Sequence, residues 1–234
     1  RLLKRHVLLV DPLGSPCSDA PTEPDDYNFA PQCERLATLL SSLSLGPVDC
    51  AGFSMGGMWA QHLLIHKPGL IRRLALVATT AAVDPRLRVI VQGLLAQHQA
   101  GVPHSTLLRM LHVLCFSPRF LDPPSILPML EALADGKDLR NDAVSGQLLA
   151  LLSHDLSQAL EHCRSFRQPD DHATICAVIA GSEDFLIPPI QQTRLAALIG
   201  QPAPDIVPSV GHALWIECPE LVALALNQAI PVCT

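Results

Sequence analysis

Charge is scarce in this chain. Asp, Glu, Lys and Arg make up only 16% of its 234 residues, and the acidic ones outnumber the basic to leave a formal net charge of −6. With 49% hydrophobic residues beside so little charge, the composition is that of a globular domain and not of a disordered segment. An acidic surplus without basic clusters offers nothing to nucleic acid or to an anionic membrane surface, so neither is expected as a partner. Long apolar runs are lacking too: none reaches the ~20 residues of a membrane span. No signal peptide is legible, because Arg1-Leu2-Leu3-Lys4-Arg5-His6 leads straight into a strand-like run. The first residue is Arg and not Met, which fits a fragment or a processed product. The eight cysteines (17, 33, 50, 115, 163, 176, 218 and 233) include no Cys-x-x-Cys pair. Several, such as Cys50 and Cys176, lie inside apolar runs. They read as small buried hydrophobes in a reducing, cytoplasmic setting, in preference to disulfides. There are no internal repeats and no low-complexity tract.

What is present alternates. His6-Val7-Leu8-Leu9-Val10 is a continuous apolar run and predicts a strand buried on both faces. Residues 15–31, rich in Pro, Asp and Ser, predict a surface loop. Leu36, Leu39, Leu40 and Leu43 recur at helical spacing and predict a helix over about 31–45, stopped by Gly46-Pro47. Val48 to Ala51 predicts a buried strand, followed by a helix to about Lys67 and a Pro68-Gly69 break. Residues 74–78 predict the next strand. Residues 84–170 then change character, with Leu107, Leu108, Leu111 and Leu114, and later Leu148, Leu149, Leu152 and Leu156, on helical faces and no convincing strand. The sheet resumes at 174–180, followed by a helix over 189–199, a short strand at 205–207 and a closing helix over 217–230. Strands alternating with helices predict an α/β fold with a mostly parallel sheet flanked by helices. Its core would be residues 1–83 and 171–234, and 84–170 a helical insertion suited to a lid over a pocket.

The chemistry is expected at the carboxyl ends of the strands, where open parallel sheets bind ligands. Gly52-Phe53-Ser54-Met55-Gly56-Gly57 places a serine between a strand and a helix. Two Gly and one Ser at fixed positions would arise by chance in roughly one chain in ten of this length at about 7% usage each, so the flanking strand and helix carry the argument. Glycines two before and two after the serine would let strand and helix approach without a Cβ clash. Asp184 and His212 follow at the ends of later strands, in the order Ser, Asp, His. Ser54 is a weak nucleophile until a base takes its proton. The ring of His212 suits that task near neutral pH, and Asp184 would hold its other nitrogen protonated. Glu183 and Asp84 are alternative acids. The N–H of Met55, at the start of the helix, would face a developing oxyanion. His62 and His66 have the i, i+4 spacing of a metal pair but no third ligand, so no metal and no cofactor is expected.

These residues resemble the α/β-hydrolase superfamily over nearly the whole chain. Val10-Asp11-Pro12-Leu13-Gly14-Ser15-Pro16-Cys17-Ser18-Asp19 is similar to its Asp-x-x-Gly-x-Gly-x-Ser segment, Gly52 to Gly57 to its nucleophile elbow, Gly181-Ser182-Glu183-Asp184 with Pro188 to its acid loop, and Gly211-His212 to its histidine loop. Ser54-Met55-Gly56-Gly57-Met58 and Ala78-Thr79-Thr80-Ala81 are similar to enol-lactonase and C–C hydrolase-like esterases. The family's His-Gly-rich oxyanion loop, which would precede Asp11, is not visible. A segment outside this chain, another chain, or Leu13-Gly14 re-used would have to supply the second oxyanion donor. The resemblance implies a serine hydrolase acting on a small-molecule ester, thioester or lactone with an apolar group. Its rivals are a non-catalytic relative and an acyltransferase or C–C bond hydrolase. An open sheet edge would favour a homo-oligomer.

Overall fold

The computed structural model describes residues 3, 5–15, 17–135, 141–166, 174–201 and 203–230. Four parallel strands form one sheet in the order β1 (Val48–Phe53), β2 (Ile71–Val77), β3 (Thr174–Gly181), β4 (Asp205–Val207). Helices α1 (Phe29–Ser42) and α2 (Met55–His66) flank β1, and α9 (Pro189–Ile199) joins β3 to β4. The closing segment is two helices, α10 (Leu214–Glu217) and α11 (Pro219–Ala229). A helix over 217–230 was the expectation. Pro219 begins α11 instead, because its fixed φ and missing N–H suit a first turn.

The core follows the two-residue period of β2. Leu74 and Leu76 point to one face, among Leu63 of α2 and Leu195 of α9. Ala75 and Val77 point to the other, among Val222 and Leu226 of α11. Burying each such aliphatic side chain contributes about 1.5–3 kcal/mol, so the central strand ties both helical layers together.

Between β2 and β3 the described chain is helical: α3 (Pro85–Gln99), α4 (His104–Cys115), α5 (Pro118–Leu121), α6 (Ile126–Asp135), α7 (Asn141–Leu152) and α8 (Ser157–Phe166). The expected boundary at 170/171 lies outside the described residues. Helices α3 and α7 pack Leu87, Val91, Ala143 and Ala150 over Met58 and Ile187, above the carboxyl end of the sheet.

Two expectations are corrected. Residues 6–10 are not a buried strand: they carry no ladder, and Val7 and Leu9 are 54% and 87% exposed. Apolar content does not make a strand; a neighbour must take its backbone groups, and no described strand lies beside this segment. β1, expected to be buried, is partly exposed along most of its length, because among the described residues it pairs only with β2 and stands at the sheet edge. Among the cysteines, Cys33, Cys50, Cys115 and Cys218 are free thiols, wholly or partly buried, and Cys17 is free and exposed. Burial pushes the Cys33 and Cys50 thiols up to about 11. Cys233 and the side chains of Cys163 and Cys176 lie outside the described residues.

Of the two histidines of α2, His66 is exposed and His62 packs into the structure. His62 stacks on Phe29 with centroids 4.5 Å apart, and its Nε2 meets Nδ1 of His154 at 3.2 Å. Because His154 Nε2–H donates to the Thr80 carbonyl at 3.0 Å, its Nδ1 is the acceptor and His62 the donor. Burial, with His154 and His66 nearby, pulls the His62 pKa down to about 3, and burial lowers that of His154 too. The unfolded chain therefore takes up protons below the usual histidine range of about 6.5 that the folded one refuses. Stability is full above that value and falls as pH drops from about 6.5 towards 3. Urea midpoints measured from pH 7 to 5, above the carboxylate range, should show this fall. His62→Gln, which keeps a donor for His154, should show a shallower one.

Candidate active site

The turn from β1 into α2 puts Ser54 at φ 51°, ψ −122°, a region that costs a non-glycine residue of order 1–3 kcal/mol. The surroundings hold it there. Its N–H donates to the Val77 carbonyl at 2.9 Å, and its carbonyl accepts the Thr79 Oγ–H at 2.8 Å. The same carbonyl accepts the Gly57 N–H at 2.9 Å and opens α2. Thr79 is fully buried two residues past the end of β2, and nothing in the sequence pattern singled out its part in the turn.

The glycines divide the work differently from the sequence expectation. A Cβ on Gly52 would meet the Gly57 Cα at 2.6 Å and the Gly56 carbonyl at 2.7 Å. One on Gly57 would meet Thr79 at 2.6 Å, whereas one on Gly56 would meet nothing within 4 Å. Close approach thus depends on Gly52 and Gly57; Gly56, the second glycine of the motif, is not needed for it.

The three predicted residues come together. His212 Nε2 lies 2.8 Å from Ser54 Oγ, and His212 Nδ1 lies 2.8 Å from Asp184 Oδ2. A carboxylate oxygen only accepts, so Nδ1 carries the proton and Nε2 presents its lone pair to the Ser54 hydroxyl. Asp184 is 2% exposed, and its Oδ1 accepts the N–H groups of Leu186 and Ile187 at 3.0 and 2.7 Å, which fixes its rotamer. His212 is 3% exposed. The acid and histidine loops meet because Gly181 has no side chain: a Cβ there would lie 2.2 Å from the Gly211 carbonyl.

The alternative acids lie elsewhere. Glu183 makes a backbone bond to Val210, and Asp84 caps α3, accepting the Leu87 N–H at 2.8 Å and a bond from Gln191. Met55 is the first residue of α2, where helical N–H groups lack an intrahelical partner. The Gly14 N–H is already bonded to the Asp19 carbonyl at 2.8 Å, which takes it out of use as an oxyanion donor. His62 and His66 stack with centroids 5.8 Å apart, and no group of three or more metal-ligating side chains occurs among the described residues.

A strand–serine–helix turn at the carboxyl end of a parallel sheet, facing a buried Asp–His pair, sets this chain among α/β proteins whose polar site lies at the strand ends. Residues 2–219 match the family described as alpha/beta hydrolase fold, and the chain belongs to it. It is 25% identical, over 96% of its length and 79% of the relative's, to "Putative carbamate hydrolase RutD" of Caulobacter sp. (strain K31). Its fold is similar to that of MGS-M2, an alpha/beta hydrolase enzyme from a Medee basin deep-sea metagenome library, with TM-score 0.79 at 21% identity, covering 96% of this chain and 78% of that one. It is also similar to the enol-lactonase from Burkholderia xenovorans LB400, with TM-score 0.76 at 21% identity, covering 95% and 79%.

The glycine geometry has a direct check. Gly52→Ala and Gly57→Ala should each lower stability by about 1–3 kcal/mol through overpacking. Gly56→Ala should be neutral or stabilising by up to about 1 kcal/mol. Urea unfolding of the three variants separates them.

Proposed function

We propose that this chain is a serine hydrolase that cleaves a carboxylic ester, thioester or lactone through an acyl-enzyme. The observation that carries the reading is the continuous Ser54–His212–Asp184 hydrogen-bond chain, with Ser54 raised on a strained turn at the start of α2. His212 Nε2 takes the hydroxyl proton as Ser54 Oγ bonds to the acyl carbon. Asp184 stabilises the imidazolium that forms. The oxyanion meets the Met55 N–H and the positive end of the α2 dipole. His212 then gives the proton to the departing oxygen or sulfur, and a water, activated in the same way, releases the acid and restores Ser54. No cofactor enters this scheme.

The relatives' names mention a carbamate and an enol lactone, and each offers an acyl carbon with a heteroatom leaving group. That common chemistry supports the acyl class without selecting one substrate. Met55, Leu186 and Ile187, beside Ser54 and Asp184 in sequence, pack in one cluster with α3 and α7. This supports residues 84–170 as a lid and an apolar acyl or alcohol group on the substrate.

A fluorophosphonate probe tests the reading without knowledge of the substrate. The intact mass should rise by one adduct, mapping to Ser54 and absent in Ser54→Ala. Labelling in His212→Ala and Asp184→Asn should be slower by at least about 10²-fold. A folded chain that gives no adduct would instead be a non-catalytic relative. Transfer of the acyl group to an added alcohol faster than to water would make it an acyltransferase.

A further inference from the structure

His212 is held by more than Asp184. Both of its flanking peptide N–H groups are taken by bonds that lead to one place, the corner between α4 and α5. The Gly211 N–H donates to Glu217 Oε1 at 3.1 Å, and the Ala213 N–H donates to the Cys115 carbonyl at 2.9 Å. Glu217 in turn accepts the Ser117 N–H on Oε1 at 2.8 Å and the Ser117 hydroxyl on Oε2 at 2.5 Å. Ser117 is 1% exposed, and its Oγ also caps α5 by accepting the Phe120 N–H at 3.2 Å. Phe116 and Leu130 of the insertion pack against Ala213. The contact is tight: a Cβ on Gly211 would lie 2.7 Å from both Glu217 Oε1 and the Ser117 nitrogen, and 2.8 Å from the Cys115 carbonyl.

From this arrangement we infer that Glu217 is a positioning residue for His212. It makes the seating of the α4–α5 corner a condition for the histidine's aim at Ser54, and the inference rests on the serine-hydrolase reading above. One carboxylate gathers three donors from two segments, two of them from Ser117, which lies 100 residues before Glu217, and one from Gly211, which lies 6 before it. The corner is therefore scaffold for the base, and this part of the insertion does not lift as a lid without releasing the Ala213 peptide group beside His212 and both bonds from Ser117 to Glu217. Bonds to a charged acceptor are among the stronger ones a protein makes, which suits a fixed joint.

The experiment compares Glu217→Ala, Glu217→Gln and Gly211→Ala in the full chain. Gln can still accept the two backbone N–H groups, and its amide can donate to a rotated Ser117 hydroxyl. Two readouts are needed: the fluorophosphonate labelling rate of Ser54 across pH, and the low-field NMR signal of the His212 Nδ1 proton, assigned by its loss in Asp184→Asn. Glu217→Ala should slow labelling by roughly 10- to 100-fold, move its acid limb and weaken or shift the His212 signal, because a small displacement of the base suffices. Glu217→Gln should recover most of both. Gly211→Ala, a wedge at the same joint, should resemble Glu217→Ala, and the double variant should lose less than the product of the two.

Circular dichroism and thermal melting establish that each variant is folded. If Glu217→Ala does not fold, Gly211→Ala carries the test alone. A folded variant with a wild-type labelling rate, pH limb and His212 signal would overturn the inference. Absence of labelling in the wild type would instead overturn the hydrolase reading, and the NMR signal alone would then decide whether Glu217 positions His212.

Discussion

The structure depends on a sharp turn of backbone at Ser54. A non-glycine residue with positive φ persists only where its surroundings over-determine it. Here the Ser54 N–H is taken by Val77, its carbonyl by Thr79 and by the first turn of α2, and the strand and helix on either side close to distances that only Gly52 and Gly57 permit. The consequence is geometric. The hydroxyl stands clear of the sheet, at the positive end of a helix, where a proton acceptor can reach it and a negative charge would be stabilised.

The partners of Ser54 arrive by a second close approach. Gly181 lets the end of β3 touch the loop after β4, and that contact brings Asp184 and His212 within hydrogen-bond distance although the strands carrying them end in separate loops. Further from the sheet, Glu217 and the Cys115 carbonyl fasten the histidine loop to the corner between α4 and α5. The site is thus held from two directions: from one side by the sheet and from the other by the helical segment between β2 and β3. This is why a segment far from Ser54 in sequence bears on how the histidine is aimed.

Much of this was legible beforehand. The helix over 189–199 and the strand at 205–207 match their predicted limits, because Pro and Gly mark their ends. Ser54, Asp184 and His212 were legible because strand ends are where parallel sheets place chemistry. The buried strand over 6–10 was not there to be found. An apolar run states a preference for burial, but a strand exists only as one half of a pair, and the sequence of one half does not say whether the other is present. The same logic misread β1, whose apolar residues sit at an edge.

Short-range rules therefore determined the elements, their order and the type of residue at each strand end, since helical and extended backbones impose periods of 3.6 and 2 that side chains must follow. Tertiary structure alone decided which acid meets His212, which glycine the turn requires, and which residues brace the histidine loop. Asp184, Glu183 and Asp84 are chemically alike, as are Gly56 and Gly57. They differ only in what lies within a few ångströms, and those distances are set by packing between segments far apart in the chain.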